Sequence, residues 1–361
     1  MTSEKSLSAD LDKVKRLWGD KATAEDLGKR KFVNWMVHPY IDKHYINKKI
    51  SGSSEINWVD YVQKKYISHP LQLGLNLGCG DGSLERYALR IGVCQKFEAF
   101  DVAEGGIDIA RAEAVNLGIA ANITYEVKDI NSICLEESKY DIGFASMSAH
   151  HIGELEHVFS EVRKALKPSG VFVLNEFVGP TQFQWTDQQL VIMNDLLEIL
   201  PGKYRTNISS PGHVKDKIYK PSVTEMNSYD PSEAIRSAEI IPLLPRYFNI
   251  LEKIDYGGTI LHILLQDIVG NFDPENEEDL AILKLLTYFE EILIRSNVLP
   301  SDFALIVAQK GARSCQSNQP HSGYDCRFDH LSSEQSSQQL AIQRLIKTVG
   351  FKIAAKLGFR L

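Results

Sequence analysis

The stretch Leu75-Asn76-Leu77-Gly78-Cys79-Gly80-Asp81-Gly82 decides the fold of this chain. A short apolar run gives way to three glycines at alternate positions, and a helix-forming segment follows at residues 83–90. This pattern predicts a strand, a tight turn and the start of a helix. Glycine reaches positive φ without steric cost and puts no Cβ between the chain and a ligand. The turn is therefore expected to expose main chain to a bound molecule.

Acidic side chains follow the next two predicted strands. The apolar segment 97–100 ends in Asp101, about twenty residues past the glycines, where nucleotide-binding sheets place an acid that accepts hydrogen bonds from both ribose hydroxyls. Asp129 belongs to the next segment, 123–130, and is placed to bind an adenine amino group. Because position 83 is Ser, the glycine pattern is G-x-G-x-G and departs from the G-x-G-x-x-G of dinucleotide sites, which counts against NAD.

A polar turn follows the strand predicted at residues 140–147. It runs from Ser146 to His151 and, at the carboxyl edge of an open α/β sheet, is expected to face the reactive end of the ligand. Next in the chain are a predicted helix (154–166), a Lys167-Pro168-Ser169-Gly170 turn and a buried strand (171–174). Glu176 lies just beyond that strand.

In this order the parts resemble the class I S-adenosylmethionine-dependent methyltransferases. The resemblance covers residues 71–178, and residues 302–310 supply the expected last strand. Flanking segments at 35–47 and 175–185 are similar to a bacterial small-molecule branch of that family. The resemblance implies an α/β fold with a Rossmann-like, doubly wound, seven-stranded sheet, and S-adenosyl-L-methionine as the cofactor.

The expected cofactor site lies on four turns at one edge of the sheet. By resemblance it is lined by Gly78, Gly80, Asp101, Val102, Asp129, Ile130 and Met147, and the same turns add Cys79, Asp81, Gly82 and Ser146. Cys79 is interpreted mainly as a small packing residue, since a free cysteine usually behaves as a buried apolar side chain.

Three side chains are candidates for acid–base chemistry. His150 and His151 precede the helix that begins near Gly153, whose dipole is expected to lower an imidazole pKa and keep the ring a proton acceptor. Adjacent residues are expected to point in different directions, so at most one histidine should reach the substrate. Glu176 is the second candidate base, with the alternative that it binds backbone donors of a neighbouring loop.

The sequence predicts no metal site. Cys315, His321, Cys326 and His330 lie close together in the sequence, but their spacing lacks the C-x-x-C pattern of a zinc knuckle. The acidic residues between 273 and 279 are interpreted as complementing the dipole of the helix that follows them.

Composition shifts divide the chain into segments. The expected pieces are an N-terminal helical cap (1–70), the cofactor-binding core (71–180), a helical and irregular lid insertion (181–247), the end of the core sheet with helices (248–311), a flexible linker (312–337) and a basic amphipathic helix (338–361). The last helix carries a positive face without acidic residues, which suits contact with an anionic membrane surface; docking on the enzyme or on a neighbouring subunit is the alternative.

Charge and composition narrow the function class. A net charge of -7 argues against nucleic-acid binding, because phosphate contacts need a basic face. No run approaches the roughly 18 apolar residues of a membrane span, so the chain is expected in the cytoplasm, with peripheral membrane contact through its last helix as an option. Five scattered cysteines suit reduced thiols better than disulfides.

The function these features favour is methyl transfer from S-adenosylmethionine to a small-molecule acceptor, at an oxygen of a sugar or secondary metabolite. Two other classes stay open from the residues. One is a non-catalytic protein that binds the cofactor as a scaffold, and the other is an NAD-dependent oxidoreductase. Titration with NADH tests the oxidoreductase, titration with S-adenosylmethionine tests cofactor binding, and activity separates an enzyme from a scaffold.

Overall fold

A seven-stranded sheet forms the centre of the computed structural model, which describes residues 33–311 together with Lys13. The strand order is β3-β2-β1-β4-β5-β7-β6, and β7 runs antiparallel to both of its neighbours. The strands are β1 Leu71–Leu77, β2 Cys94–Asp101, β3 Ile123–Val127, β4 Tyr140–Ser146, β5 Leu166–Phe177, β6 Asn249–Gly257 and β7 Phe303–Gln309. The order reverses between β1 and β4, which opens a crevice at their carboxyl ends.

Helices flank the sheet. The α-helices are α1 Lys48–Ser51, α2 Trp58–Tyr66, α3 Ser83–Arg90, α4 Glu104–Asn116, α5 Leu155–Ala165, α6 Asp187–Ile199, α7 Val223–Tyr229, α8 Ile240–Leu243, α9 Leu261–Leu265 and α10 Glu277–Arg295. A π-helix spans Ile41–Asn47, and short 3-10 turns occupy Trp35–Val37, Ala120–Asn122, Ile130–Ser132, Ala149–His151, Thr181–Phe183, Gly202–Tyr204, Ser237–Glu239, Leu244–Arg246 and Val269–Asn271. The predicted α/β fold with a doubly wound seven-stranded sheet is confirmed.

Two buried cores lie on opposite faces of the sheet. Along β7, Phe303, Leu305 and Val307 belong to one core, and the residues between them belong to the other. This period of two is what strands covered on both faces require. The core that contains Phe303 also receives α4, α6 and α10, whereas α5 and α8 close the second core.

The segment before β1 packs into the first of these cores. Trp35, Ile41 and Val62 are fully buried there. Asn57 begins α2 by accepting hydrogen bonds from the backbone N–H of Val59 and Asp60, which satisfies donors that the first turn of a helix leaves without partners. The N-terminal helices thus share a core with the sheet.

Three boundaries differ from the sequence expectation. The predicted turn at 167–170 lies inside β5, where the register slips between the Tyr140–Leu166 and Ile142–Val171 pairs and the extra residues are accommodated as an irregularity. The apolar sequence of residues 259–269 predicts a single helix, but the structure has only the five-residue α9 there, because the chain turns at Gln266. The composition of residues 201–232, rich in Ser, Pro, Lys and Tyr, predicts an irregular stretch, but the structure contains α7 there, which a capping box of Ser222 and Glu225 initiates.

Several expectations fall outside the described residues. These are the cysteines and histidines between 315 and 330, the linker 312–337, the basic helix 338–361 and most of the chain before residue 33. Among the described helices, none combines the length and apolar character needed to cross a membrane.

Candidate active site

The glycine turn lies directly against the turn that carries the two histidines. Gly78 has φ +72, and a Cβ there would come within 2.3 Å of the Ser148 Cβ. Ser148 Oγ donates to the carbonyl of Leu77 at 2.7 Å, which fixes the two turns together. Gly80, with φ +52, differs because no atom lies within 4 Å of the place its Cβ would take. The exposed main chain at Gly80 therefore leaves room for a ligand to approach.

Asp101 binds the same turn from the neighbouring strand. Its Oδ2 accepts from the backbone N–H of Gly80 and its Oδ1 from that of Ala103, both at 2.8 Å. A carboxylate oxygen can accept two hydrogen bonds, so each oxygen keeps capacity for a hydroxyl of a bound ribose. The acid thus holds the glycine turn in place from the end of β2.

The other members of the glycine turn have structural partners. Asp81 Oδ1 accepts from the backbone N–H of Ser83 at the start of α3, and Gly82, the residue before α3, accepts at its carbonyl from Tyr125 Oη at 3.4 Å. Cys79 is buried, and burial together with nearby acids raises the pKa of its thiol well above the usual range. These contacts agree with Cys79 as a packing residue.

Asp129 begins the 3-10 turn after β3. Its Oδ1 accepts from the backbone and side-chain amides of Asn131, and Asn131 Oδ1 in turn accepts from the N–H groups of Gly153 and Glu154. The turn after β3 is therefore tied to the start of α5. Ile130 is half-buried beside Asp129, as is Val102 next to Asp101.

Backbone strain marks the end of β4. Ser146 is its last residue, and Met147 follows with φ +53, a conformation that costs a non-glycine residue energy. The N–H of Met147 donates to the carbonyl of Asn175 at 2.9 Å, and Asn175 Nδ2 lies 3.4 Å from Ser146 Oγ. Contacts with β5 thus hold Met147 in this conformation.

A buried polar pair beneath the glycine turn has no counterpart in the sequence predictions. Asn76 Nδ2 donates to Glu85 Oε1 at 2.6 Å, and burial raises the pKa of Glu85 to about 7. Among the described residues no partner exists for Asn76 Oδ1 or Glu85 Oε2. The sequence signal for this pair was the polar Asn76 in the middle of an apolar strand. A buried acceptor of this kind needs a donor, and the raised pKa lets Glu85 hold a proton near neutral pH, so that the carboxyl can itself donate.

His150 and Glu176 form a buried pair at the crevice. His150 Nδ1 lies 2.7 Å from Glu176 Oε2, and Glu176 Oε1 accepts from the backbone N–H of Ser148 at 2.7 Å and of Ala149 at 2.6 Å. Glu176 is fully buried and His150 nearly so. Glu176 thus acts as a positioning residue: it holds the turn and orients the imidazole.

The expectation that the helix dipole lowers the histidine pKa is wrong for His150. Burial alone would lower its pKa, but the charge of Glu176, the hydrogen bond to it, and the charges of Glu233 and Asp230 together raise the pKa above its usual value. Local carboxylates outweigh the field of α5 because they lie within hydrogen-bond distance.

The two histidines lie side by side, which corrects the expectation that they point in different directions. Their ring centroids are 4.3 Å apart, because both belong to the 3-10 turn Ala149–His151 and each is held from a different side. His151 Nδ1 lies 3.0 Å from Ser232 Oγ, which donates to Asp230 Oδ1 at 2.7 Å. The end of the lid insertion therefore meets the histidine turn.

An aromatic cluster continues from His150 away from the glycine turn. Its members are Phe177, Phe183, Trp185, His262 and Phe303. Phe177 is 6.1 Å from His150 between ring centroids, and Phe183 stacks on Trp185 at 5.1 Å. Phe183 has φ +53 and is only half-buried. Burial, chiefly, lowers the pKa of His262 to about 3, so the ring is neutral and the cluster is apolar.

Sequence reasoning missed the residues that the insertion brings to the site. Asp230, Ser232 and Glu233 sit about the histidines, with Glu233 Oε1 3.6 Å from His150 Nε2. His151 and Ser232 are 81 positions apart, and no motif or spacing connects them. His262 follows β6 and likewise carried no sequence signal.

Comparison with known proteins agrees with this geometry. Residues 75–174 match a family model described as a methyltransferase domain. A bifunctional biotin biosynthesis protein of Teredinibacter turnerae is 31% identical over 154 residues, which is 38% of this chain and 27% of that protein. A sterol 4-C-methyltransferase of Caenorhabditis elegans is 26% identical over 230 residues, 55% of this chain and 68% of that protein.

A solved structure, phosphoethanolamine N-methyltransferase 2 of Haemonchus contortus, superposes with a TM-score of 0.49 at 16% identity, over 83% of this chain and 60% of that one. The chain thus spans between about a quarter and two thirds of the length of the two relatives matched by sequence. The family match covers the strands from β1 to β5 that build the crevice. Residues 75–174 therefore form a methyltransferase domain, similar to those of the class I S-adenosylmethionine-dependent enzymes.

Proposed function

We propose that this chain transfers a methyl group from S-adenosylmethionine to an oxygen of a small molecule, a sugar or secondary metabolite with an apolar face. The observation that carries the proposal is the His150–Glu176 pair, which lies between the glycine turn and the aromatic cluster. One side of this pair suits a nucleoside, and the other suits an apolar acceptor.

The residues present fit the cofactor. Gly80 offers open main chain, and Asp101 offers both carboxylate oxygens for the ribose. Asp129, after β3, is on the side proposed for the adenine, and Met147, after β4, is on the side proposed for the acceptor. When bound, S-adenosylmethionine supplies a methyl carbon made electrophilic by its sulfonium. The main work of the protein is alignment, for which a well-oriented pair of reactants can supply roughly 7 to 11 kcal/mol.

His150 is the group proposed to handle the proton of the acceptor hydroxyl. Glu176 orients the ring through Nδ1, so in the neutral ring the lone pair is on Nε2, on the side of Glu233 and the insertion. A positioned base of this kind contributes on the order of 10² to 10⁴ in rate. The aromatic cluster would exclude water from the acceptor and bind its apolar face.

Incubation with cofactor carrying a deuterated methyl group tests the proposal. The purified protein is added to a cell extract, and mass spectrometry searches for small molecules that gain the label. The proposal predicts a labelled product whose methyl is removed by ether-cleaving reagents. A label that resists such cleavage would indicate methylation at nitrogen or at carbon, the latter being the reaction named in the sterol relative, and would contradict the oxygen assignment. If no extract gave a labelled product, the result would favour a non-catalytic protein that binds the cofactor as a scaffold.

The pKa of His150 should fall when Glu176 is replaced by glutamine. Glu176→Gln keeps an acceptor for the N–H groups of Ser148 and Ala149 but removes the charge that opposes the effect of burial. The raised pKa keeps more of the ring protonated at pH 7, so the neutral fraction at that pH should rise in the variant. The measurement is a pH titration of ¹⁵N-histidine NMR signals in metal-free buffer.

Glu239→Gln is the matched control, because Glu239 pairs with Arg236 on the surface. Its spectrum should show the same His150 titration as the wild type. An unchanged or higher His150 pKa in Glu176→Gln would mean that the buried carboxylate does not set the charge of the ring.

A further inference from the structure

We infer that His150, His151 and Glu233 form a binding site for one divalent transition-metal ion. One ring nitrogen of each histidine and a carboxylate oxygen of Glu233 all lie within 4.8 Å of one another. His150 Nε2 is 3.6 Å from Glu233 Oε1. Two ligands bound at about 2.1 Å to one tetrahedral ion lie about 3.4 Å apart, so this pair already has a suitable separation.

The hydrogen bonds behind the histidines orient them as metal ligands. Glu176 Oε1 already accepts two backbone N–H groups, so Glu176 is a carboxylate acceptor and His150 donates to Oε2 from Nδ1. Ser232 Oγ gives its proton to Asp230, so it accepts from Nδ1–H of His151. A neutral histidine that donates from Nδ1 carries its lone pair on Nε2. Both rings are thus set in the tautomer in which Nε2 can bind a metal.

This arrangement matches a recurring feature of metal sites. Metal-binding histidines almost always donate their other ring N–H to a carboxylate, a carbonyl or another fixed acceptor, which orients the ring and makes it a stronger base. Here a buried carboxylate stands behind one histidine and a serine–aspartate pair behind the other. Two histidines and one carboxylate suit zinc, cobalt or ferrous iron rather than magnesium or calcium.

The site joins the sheet to the insertion. The histidines come from the turn after β4, and Glu233 comes from the segment between α7 and α8. An ion bound here would fix the end of the insertion across the acceptor side of the crevice. Three protein ligands also leave a coordination position open, as in catalytic zinc sites.

The role of the open coordination position on the metal rests on the proposed function. An acceptor hydroxyl bound there would have its pKa lowered by the ion and would lose its proton to solvent water, so that the oxygen is presented as an alkoxide. His150 would then act as a ligand, and the ion would do the work otherwise assigned to the neutral ring.

Calorimetric titration with Zn²⁺ tests the site, using full-length protein freed of metal with a chelator and containing neither cofactor nor acceptor. The wild type should bind Zn²⁺ at this site, and His151→Ala and Glu233→Gln should each weaken that binding at least tenfold. Substitution of Co²⁺ should give the visible absorption of a low-coordinate cobalt site in the wild type and lose it in both variants. Unchanged S-adenosylmethionine affinity in the variants would show that they fold.

Two controls separate this site from other zinc binders in the chain. His69→Ala removes an exposed histidine, and the double variant Cys315→Ser, Cys326→Ser removes the thiols outside the described residues. Both should keep the high-affinity titration. Loss of binding in the cysteine variant with retention in Glu233→Gln would overturn the proposal, as would a wild type that binds no Zn²⁺. Neither result bears on methyl transfer, which the labelling experiment measures independently.

Discussion

Replacing Asp101 by asparagine is expected to weaken S-adenosylmethionine binding by on the order of 10²-fold. The carboxylate accepts from the N–H groups of Gly80 and Ala103, and we propose that it also accepts two ribose hydroxyls. Hydrogen bonds to a charged group contribute about 1.5 to 3 kcal/mol each, and tenfold in affinity corresponds to about 1.4 kcal/mol. An asparagine also turns its amide N–H₂ toward one of the two backbone donors, so the glycine turn loses support. Calorimetric titration measures the change.

Asp108→Asn is the matched control, since Asp108 lies on α4 with an exposed side chain and a loose pairing to Arg111 at 3.5 Å. It should bind the cofactor as the wild type does. If Asp101→Asn also bound with wild-type affinity, the carboxylate at the end of β2 would not contact the ribose.

The second large effect is expected at His150. His150→Gln can still hydrogen-bond to Glu176 but cannot take up a proton near neutral pH, and turnover should fall by on the order of 10² to 10⁴. S-adenosylmethionine affinity should stay unchanged, because the ring is held by Glu176 on β5 and faces Glu233 of the insertion. The measurement is initial rate with the acceptor found by labelling, together with calorimetry of cofactor binding.

His157→Ala provides the comparison. His157 lies on α5 and bonds through Nε2 to the carbonyl of Ile133, away from the crevice. Its loss should leave the rate near that of the wild type. A His150→Gln protein with full turnover would remove His150 from the chemistry, whether as base or as metal ligand.

Local chemistry explains why much of the fold could be predicted. The glycine turn, the acids after β2 and β3 and the buried runs of β1, β4 and β5 are each defined by neighbours in sequence, and the structure has strands at those positions. The helix at Ser83–Arg90 begins and ends at the predicted residues. Strand register and the slip within β5 depend on packing between distant segments, which periodicity does not report.

The site residues likewise include some that the sequence could indicate and others that it could not. His150, His151 and Glu176 could be selected because each follows a predicted strand, and the structure brings them together. Glu233 and Ser232 could not, because they reach the histidines only after the insertion folds back over the crevice. The sign of the His150 pKa shift was missed because the contact with Glu176, and after it the charges of Glu233 and Asp230 from the insertion, arise only when these segments fold together.

The most direct test of this account is a titration of the wild-type protein with S-adenosylmethionine, set beside one with NADH. The account predicts saturable binding of one S-adenosylmethionine per chain and no comparable binding of NADH. Absence of S-adenosylmethionine binding in a folded protein, or tighter binding of NADH, would contradict the assignment of the crevice between β1 and β4 as the methyl-donor site.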